Sequence, residues 1–377
     1  MFRPGHVSNL IAFPDHLVSS DIPWEREIQM SRVDVIVPCY NYGRFLRECV
    51  ESVLSQPVDL RVLIIDDCSG DDTPQVAAAL AFEDRRVEFR RHEVNQGHIA
   101  TYNEGLEWVS GDYNVLLSAD DLLIEGALLR ASRLMDANPD VGLVYGRVIW
   151  FRSGNERALA EIGVSNDGYT VIPGMEWIES LCREGSNRIT SPEAMVRTRL
   201  QTELGGYRTE LPHTADMEMW MRFAARCDVG EIHAPQAFYR VHGNNMSDSY
   251  YEKSPSMDLT VTASDLFGRK AAFDSIFHDK GQTLAEADRL HRLAYEGLGW
   301  SAFWQAHKLF DRGEASECQR FLNLASDFFP GIAARPEWTR MRWKQRMGPR
   351  AWSKLSRVFR GIRQGGRGGS RVAPALS

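Results

Sequence analysis

Between residues 33 and 151 short β-rich apolar runs alternate with segments of helical period, and several of the runs end in polar or acidic side chains. "VDVIVPC" (33–39) is followed by "GRFLRECVESVLSQ" (43–56), in which Phe45, Leu46, Cys49, Val50, Val53 and Leu54 form one apolar face. "LRVLIID" (60–66), "RVEFRRH" (86–92), "YNVLLS" (113–118) and "VGLVYGRVIWF" (141–151) read as further strands. Helices are expected over 72–82, 98–109 and about 125–137. Strands that alternate with helices predict a mainly parallel α/β sheet with helices on both faces. Such sheets collect ligands beyond the carboxyl ends of their strands. Those ends carry Tyr40 and Asn41, then Asp66 and Asp67, then Asn95 and Gly97, then Asp120 and Asp121.

Two neighbouring carboxylates at the end of a core strand repel, and such a pair calls for a cation or for hydroxyl partners. The usual phosphate-cradling loops are missing: "PCYNYGRF" stands where a dinucleotide fold would place GxGxxG, and there is no P-loop. Beyond residue 151 the pattern loosens. Helices are expected over 175–185 and 215–227, short strands over 193–197 and 236–242, and a run of helices from about 250 to 329. This divides the chain into an extension (1–30), an α/β domain (31–250), a helical region (251–335) and a basic tail (336–377).

No stretch reaches the roughly 20 apolar residues that span a bilayer. The first twenty residues also lack the basic start and apolar core of a secretion signal, so a cytoplasmic protein is expected. The six cysteines form no CxxC pair, which favours neither a disulfide framework nor a zinc site. Charge is uneven. Residues 340–377 hold 11 Lys or Arg and no acid, and the rest holds 33 against 51 Asp or Glu, a net −18. In "AWSKLSRVFRGIRQ" (351–364), Trp352, Leu355, Val358, Phe359 and Ile362 share a helical face bordered by basic residues. That is the make-up of a helix lying in a membrane surface, and equally of a helix packed on the body. No nucleic-acid partner is expected.

Six segments, "VDVIVPCYN", "VLIIDDCSGDDT", "NQGHIATYNEG", "YNVLLSADD", "DMEMWMR" and "YRVHGNNMS", occur in the order and spacing of family 2 glycosyltransferases. The resemblance covers about residues 31–250 and implies a GT-A (Rossmann-like) fold. It also implies an inverting transfer of a sugar from a nucleotide-sugar, with UDP favoured, to an acceptor hydroxyl, in bacterial polysaccharide or glycolipid assembly. The acceptor would be a glycan or a lipid-linked sugar.

By that resemblance Pro38, Tyr40 and Asn41 meet the nucleotide, and Asp67 accepts a hydrogen bond from the base. Asn95, Gly97 and Asn103 lie along the donor, and Asp120 sits by the ribose or sugar. Asp121 holds a divalent cation, Mg²⁺ or Mn²⁺. Arg240 and His242 close over the donor, with His242 near the metal. Asp216 is the general base, in a pattern completed by Trp220 and Arg222. The family often places an acid before that Asp, where this chain has Ala215, so Glu218 is a rival base. Each residue also has a plain reading: helix N-caps for Asp120–Asp121 and Asp216, a turn acid for Asp67, a structural His242. Two further functions fit the fold, a sugar nucleotidyltransferase and a catalytically inactive nucleotide- or sugar-binding module. The first should open on a glycine-rich basic loop, which "PCYNYG" is not.

Overall fold

The computed structural model describes residues 31–152, 168–243, 245, 251–253, 259–278 and 286–365. The expected extension (1–30) and the glycine-rich end after residue 365 lie outside them. β1 (Val33–Cys39), β2 (Leu60–Asp66), β3 (Val87–Arg91) and β4 (Tyr113–Leu116) are joined by α1 (Gly43–Leu54), α2 (Thr73–Glu83) and α3 (His98–Trp108). These four strands pair in parallel in the order β3-β2-β1-β4. β1 and β2 are buried on both faces, hence their nearly unbroken apolar runs. The exception, Asp34, is paired: Arg61 Nη2 lies 2.7 Å from its Oδ2, and the backbone N–H groups of Ser110 and Gly111 donate to the same oxygen.

The sheet continues with β8 (Met195–Arg197), β6 (Val141–Arg152), β9 (Asp228–Val241) and the two-residue β5 (Leu122–Leu123). β7 (Tyr169–Ile172) pairs with β9. β8 runs antiparallel to both its neighbours, whereas β6 and β9 are parallel. The sheet is therefore mostly parallel, with β8, β5 and β7 running against the other strands. Strand order turns around between β1 and β4, since β2 and β3 lie on one side of β1 and β4 on the other. A ligand crevice is expected at this switch point.

α1, α2 and α4 (Ala127–Ala137) cover one face, with Leu46, Val50, Ala77, Leu128 and Met135 in its core. α3, α5 (Gly174–Glu184) and α7 (Ala215–Ala224) cover the other. Here the core runs on without a break into α8 (Ala263–Phe277), α9 (Ala287–Arg312) and α10 (Ala315–Phe328). Leu266, Phe273, Leu298 and Phe303 are wholly buried there. Each such side chain is worth about 1.5–3 kcal/mol, so these helices are held firmly to the α/β body. Contact is closest where α5 ends. A Cβ on Gly297 would lie 2.2 Å from the carbonyl oxygen of Cys182, so only glycine lets α9 approach.

Several expectations shift. The strand expected over 236–242 begins at Asp228, because a β-strand can run through Gly230 and Pro235 when its register with β6 is irregular, as it is here. The 250–329 region opens on a small hairpin, β10 (Tyr251–Lys253) with β11 (Leu259–Val261), before its first helix. α6 (Thr198–Leu204) follows β8 directly, in a stretch with no sustained period. The tail helix, α11 (Pro336–Gly365), starts earlier than expected and breaks at Gly348 (φ +78°). Its Trp352 packs on the core and under the Lys344 ammonium, 4.8 Å from the ring centre. No helix among the described residues is long and apolar enough to cross a membrane.

Candidate active site

A cavity of about 350 Å³ opens at the switch point. Tyr42, Ser118, Asp120 and Asp121 line it from the ends of β1 and β4, and Asp216 lines it from the start of α7. An adjacent acid pair and a third acid far along the chain thus share one space.

Asp120 and Asp121 are nearly inaccessible to solvent. Burial, and after it the adjacent Asp120 charge, push the Asp121 carboxyl well above the usual carboxylate range. Asp121 Oδ1 accepts the backbone N–H of Arg240 at 2.9 Å. Asp120 Oδ2 lies 3.0 Å from His242 Nε2 and accepts from Asn245 Nδ2 at 3.3 Å. His242 was expected beside the metal with Asp121. Its ring is joined to Asp120, the neighbour of Asp121, and packs against Tyr42 and Phe45.

Arg240, expected on the donor, has a supporting position. Its Nε donates to the Asp120 carbonyl at 2.8 Å and its Nη2 to Glu48 at 2.5 Å. The guanidinium lies between the rings of Phe45 and Phe151, 4.7 and 4.6 Å from their centres. It is buried because a delocalised cation between two aromatic faces and a carboxylate loses little by leaving water. Arg240 thereby fixes the backbone that carries the acid pair.

A buried, under-compensated carboxylate pair fits a divalent cation. Hard ions take carboxylate oxygens and complete their shell with phosphate oxygens and water. Among the described residues the group of three His, Cys, Asp or Glu with ligand atoms within 4.8 Å of one another is elsewhere, at Asp274, His278 and His291. There Asp274 already takes Lys270 Nζ at 2.5 Å, His291 Nε2 at 2.8 Å and Tyr295 OH at 2.9 Å. That cluster is a polar seam between α8 and α9.

Asp67 anchors the next loop. Its Oδ1 meets His92 Nδ1 and the N–H of Gln96, both at 2.7 Å, and its Oδ2 accepts the N–H of Gly97 at 2.9 Å. Oδ2 retains capacity for one more donor. Asn95 Nδ2 donates to the Asp67 carbonyl at 3.1 Å, and Gly97 adopts φ +83° just before α3. Asn41 (φ +58°) ties the β1–α1 loop to the β2–α2 loop, its N–H donating to Ser69 Oγ and its Oδ1 accepting from Gly70. Tyr40 is half exposed and Pro38 half-buried beside it. Asn103 turns away from the cavity. Its amide brackets Tyr207, donating to the carbonyl at 3.0 Å and accepting the N–H at 2.7 Å.

Asp216 Oδ2 accepts Asn187 Nδ2 and Ser191 Oγ, each at 3.1 Å, and Oδ1 accepts the N–H of Met217 at 2.7 Å. Burial raises its pKa, and the Met217 and Ser191 donors pull it part of the way back. Glu218, the rival base, is fully buried between Arg208 at 2.8 Å and Arg222 at 2.9 Å, and does not line the cavity. Arg222 also donates to the carbonyls of Leu204 and Gly206. Trp220 is buried in the core, so this residue and Arg222 both lie in the framework.

Asn187, Ser191, His92 and Asn245 were not anticipated. The first two stand in "SNRITSPE", a loop with no periodicity, where only the fold brings a donor to Asp216. The aromatic lining from Tyr102, Trp150, Tyr207 and Tyr239 was also missed. Single aromatics on three separate elements and a loop leave no pattern in a sequence.

Residues 34–197 match the sequence profile of Glycosyl transferase family 2. Among curated proteins, GalNAc(5)-diNAcBac-PP-undecaprenol beta-1,3-glucosyltransferase of Campylobacter jejuni is 33% identical over 128 residues, 33% of this chain and 41% of the relative. The leading curated relatives are spanned over only 41–63% of their own length. Among solved structures, S. aureus TarS in complex with UDP-GlcNAc superposes with a TM-score of 0.55 at 18% identity, covering 81% of this chain and 82% of the other. The mannosyltransferase PcManGT from Pyrobaculum calidifontis, in complex with GDP-Man and Mn2+, gives 0.51 at 16% identity over 84% and 79%. These likenesses share the fold, and with the motifs seated around one cavity the conclusion is that residues 34–197 of this chain are similar to glycosyl transferase family 2.

Proposed function

We propose that the protein transfers a sugar from a nucleotide-sugar to an acceptor hydroxyl with inversion at the anomeric carbon. The observation that carries this reading is the joint lining of one cavity by the Asp120–Asp121 pair and Asp216. The acid pair suits the diphosphate end of a donor, and Asp216 suits the acceptor. An acceptor hydroxyl ionises far above neutral pH, so its attack needs a base. Asp216 takes the hydroxyl proton as the oxygen bonds to the anomeric carbon from one side. The bond to the diphosphate breaks on the other side, and the leaving oxygen keeps the electron pair. A divalent cation at Asp121 and Asp120 would supply Lewis-acid neutralisation of that leaving group. Asn187 and Ser191 aim the Asp216 carboxylate. Arg240, His242 and Asn245 hold the acid pair, while Tyr40, Asn41, Asp67, Asn95 and Gly97 form the nucleoside side.

The structural neighbours hold UDP-GlcNAc or GDP-Man with Mn2+, which supports a nucleotide-sugar donor and a divalent ion. UDP is the favoured donor nucleotide, because a carboxylate oxygen with room for one donor matches the N3–H of uracil. Thermal unfolding with UDP, GDP, dTDP and CDP, each with and without Mn²⁺, tests this. A nucleotide at about 100 times its dissociation constant adds about 2.7 kcal/mol of stability. The expected result is a Mn²⁺-dependent rise with UDP. No rise with any nucleotide would leave an inactive sugar-binding module as the better reading.

The acceptor is read as a glycan or a lipid-linked sugar, in keeping with the undecaprenol-linked substrate in the Campylobacter relative's name. The uniformly basic 340–377 segment and the exposed Trp343 suit an anionic lipid surface, each basic residue contributing about 1 kcal/mol. Co-sedimentation with anionic vesicles should fall when residues 340–377 are removed; equal binding by both forms removes the membrane reading.

A further inference from the structure

We infer that α8, which lies outside the family-matched segment, carries a positioning residue for the base: Asp265, acting through His213 on one side and Arg269 on the other. The inference rests on Asp216 being the base. Two separate segments hold Asp216. One is the 211–214 stretch that leads into α7, and the other is the 185–191 loop that supplies Asn187 and Ser191.

Asp265 connects both. Its Oδ1 lies 3.0 Å from His213 Nε2, and its Oδ2 pairs with Arg269 Nη2 at 2.6 Å. Arg269 Nη1 in turn donates to the carbonyl of Gly185 at 3.2 Å, at the root of the Asn187–Ser191 loop. A second contact backs the first. Thr214 Oγ1 donates to the Gly268 carbonyl at 2.9 Å, and a Cβ on Gly268 would stand 3.1 Å from both His213 Cδ2 and Thr214 Cγ2.

Asp265 is almost wholly buried, yet with His213 and Arg269 it reaches the wall of the same cavity as Asp216. A buried carboxylate joined to an imidazole and a guanidinium is directional, whereas apolar packing is not. It can therefore set the angle of a side chain that must meet one proton. Misplacing a reacting group by about 1 Å costs on the order of 100-fold in rate.

The test is steady-state release of nucleoside diphosphate, with Mn²⁺, from whichever UDP- or GDP-sugar the wild-type protein turns over. Melting temperature is recorded for every variant. In Asp265→Asn, kcat should fall by at least about 10-fold while the donor KM stays as in wild type. Gly268→Ala places the better helix former on α8, so a lower kcat there reports the displaced 213–214 stretch and not a weaker helix. Lys270→Ala, which removes a pair with Asp274 on the same helix, should keep wild-type kcat.

Wild-type kcat in both Asp265→Asn and Gly268→Ala overturns the inference. So does an equal kcat loss in Lys270→Ala, or a loss that falls on donor KM alone. If Asp265→Asn does not fold, Gly268→Ala decides by the same criterion. Full turnover by Asp216→Asn would instead mean that the base itself is misassigned. Loss in Asp216→Asn with none in the α8 variants removes this inference only.

Discussion

Asp216→Asn should reduce sugar transfer by about 10²–10⁴-fold, the usual worth of a positioned general base, with nucleotide binding left nearly intact. The amide keeps the shape of the carboxylate but cannot take the acceptor proton. Its oxygen can still accept the Met217 N–H and its nitrogen can donate to Ser191 Oγ, so only the bond from Asn187 Nδ2 is given up. Separate readouts are required, transfer rate for the chemistry and Mn²⁺-dependent melting shift for the nucleotide. The pH profile gives a further check. Burial raises the pKa of Asp216, so the ionised, competent form is lost as pH falls through a value above the ordinary 3.8. The acid limb of kcat should therefore lie above the usual carboxylate range and should disappear with the residual rate of Asp216→Asn. Undiminished transfer by the variant would exclude Asp216 as base. Glu218 could not then take its place as the molecule stands, since both its oxygens are engaged by Arg208 and Arg222.

The second large effect is expected at Asp121→Asn. Removing one charge from the pair relieves its repulsion, so this variant should melt no lower than wild type without metal. It should also lose the Mn²⁺-dependent stabilisation by nucleotide, which at about 100 times the dissociation constant is about 2.7 kcal/mol. These opposite signs separate a cation site from a structural acid. If Asp121 merely held the Arg240 backbone N–H, an accepted bond of 2.9 Å that the amide oxygen can also accept, the variant would keep the Mn²⁺ response.

Much of this arrangement could be read from residue order. α1 buries Phe45, Leu46, Cys49, Val50 and Val53, the apolar face its period predicted, and the parallel direction of β1 to β4 follows from their alternation with helices. Asp120 and Asp121 drew attention as an acid pair at a strand end, whereas Asp216 was expected only through the family resemblance. Arg240, His242 and Asn103 sit in equally recognisable segments, but what each touches is decided by distant residues. Arg240 meets Glu48, 192 positions away, His242 meets Asp120, and Asn103 meets Tyr207.

By itself the sequence determined the α/β body and the polar strand ends where a ligand would collect, because hydrophobic period and element ends are properties of neighbouring residues. Only the tertiary structure decided which polar groups meet: that Asn187 and Ser191 aim Asp216, that Arg240 is a buried support, and that α8 reaches the cavity through Asp265. Those choices depend on desolvation and hydrogen-bond geometry between segments up to about 190 residues apart, and no local pattern in the chain encodes a partner at that range.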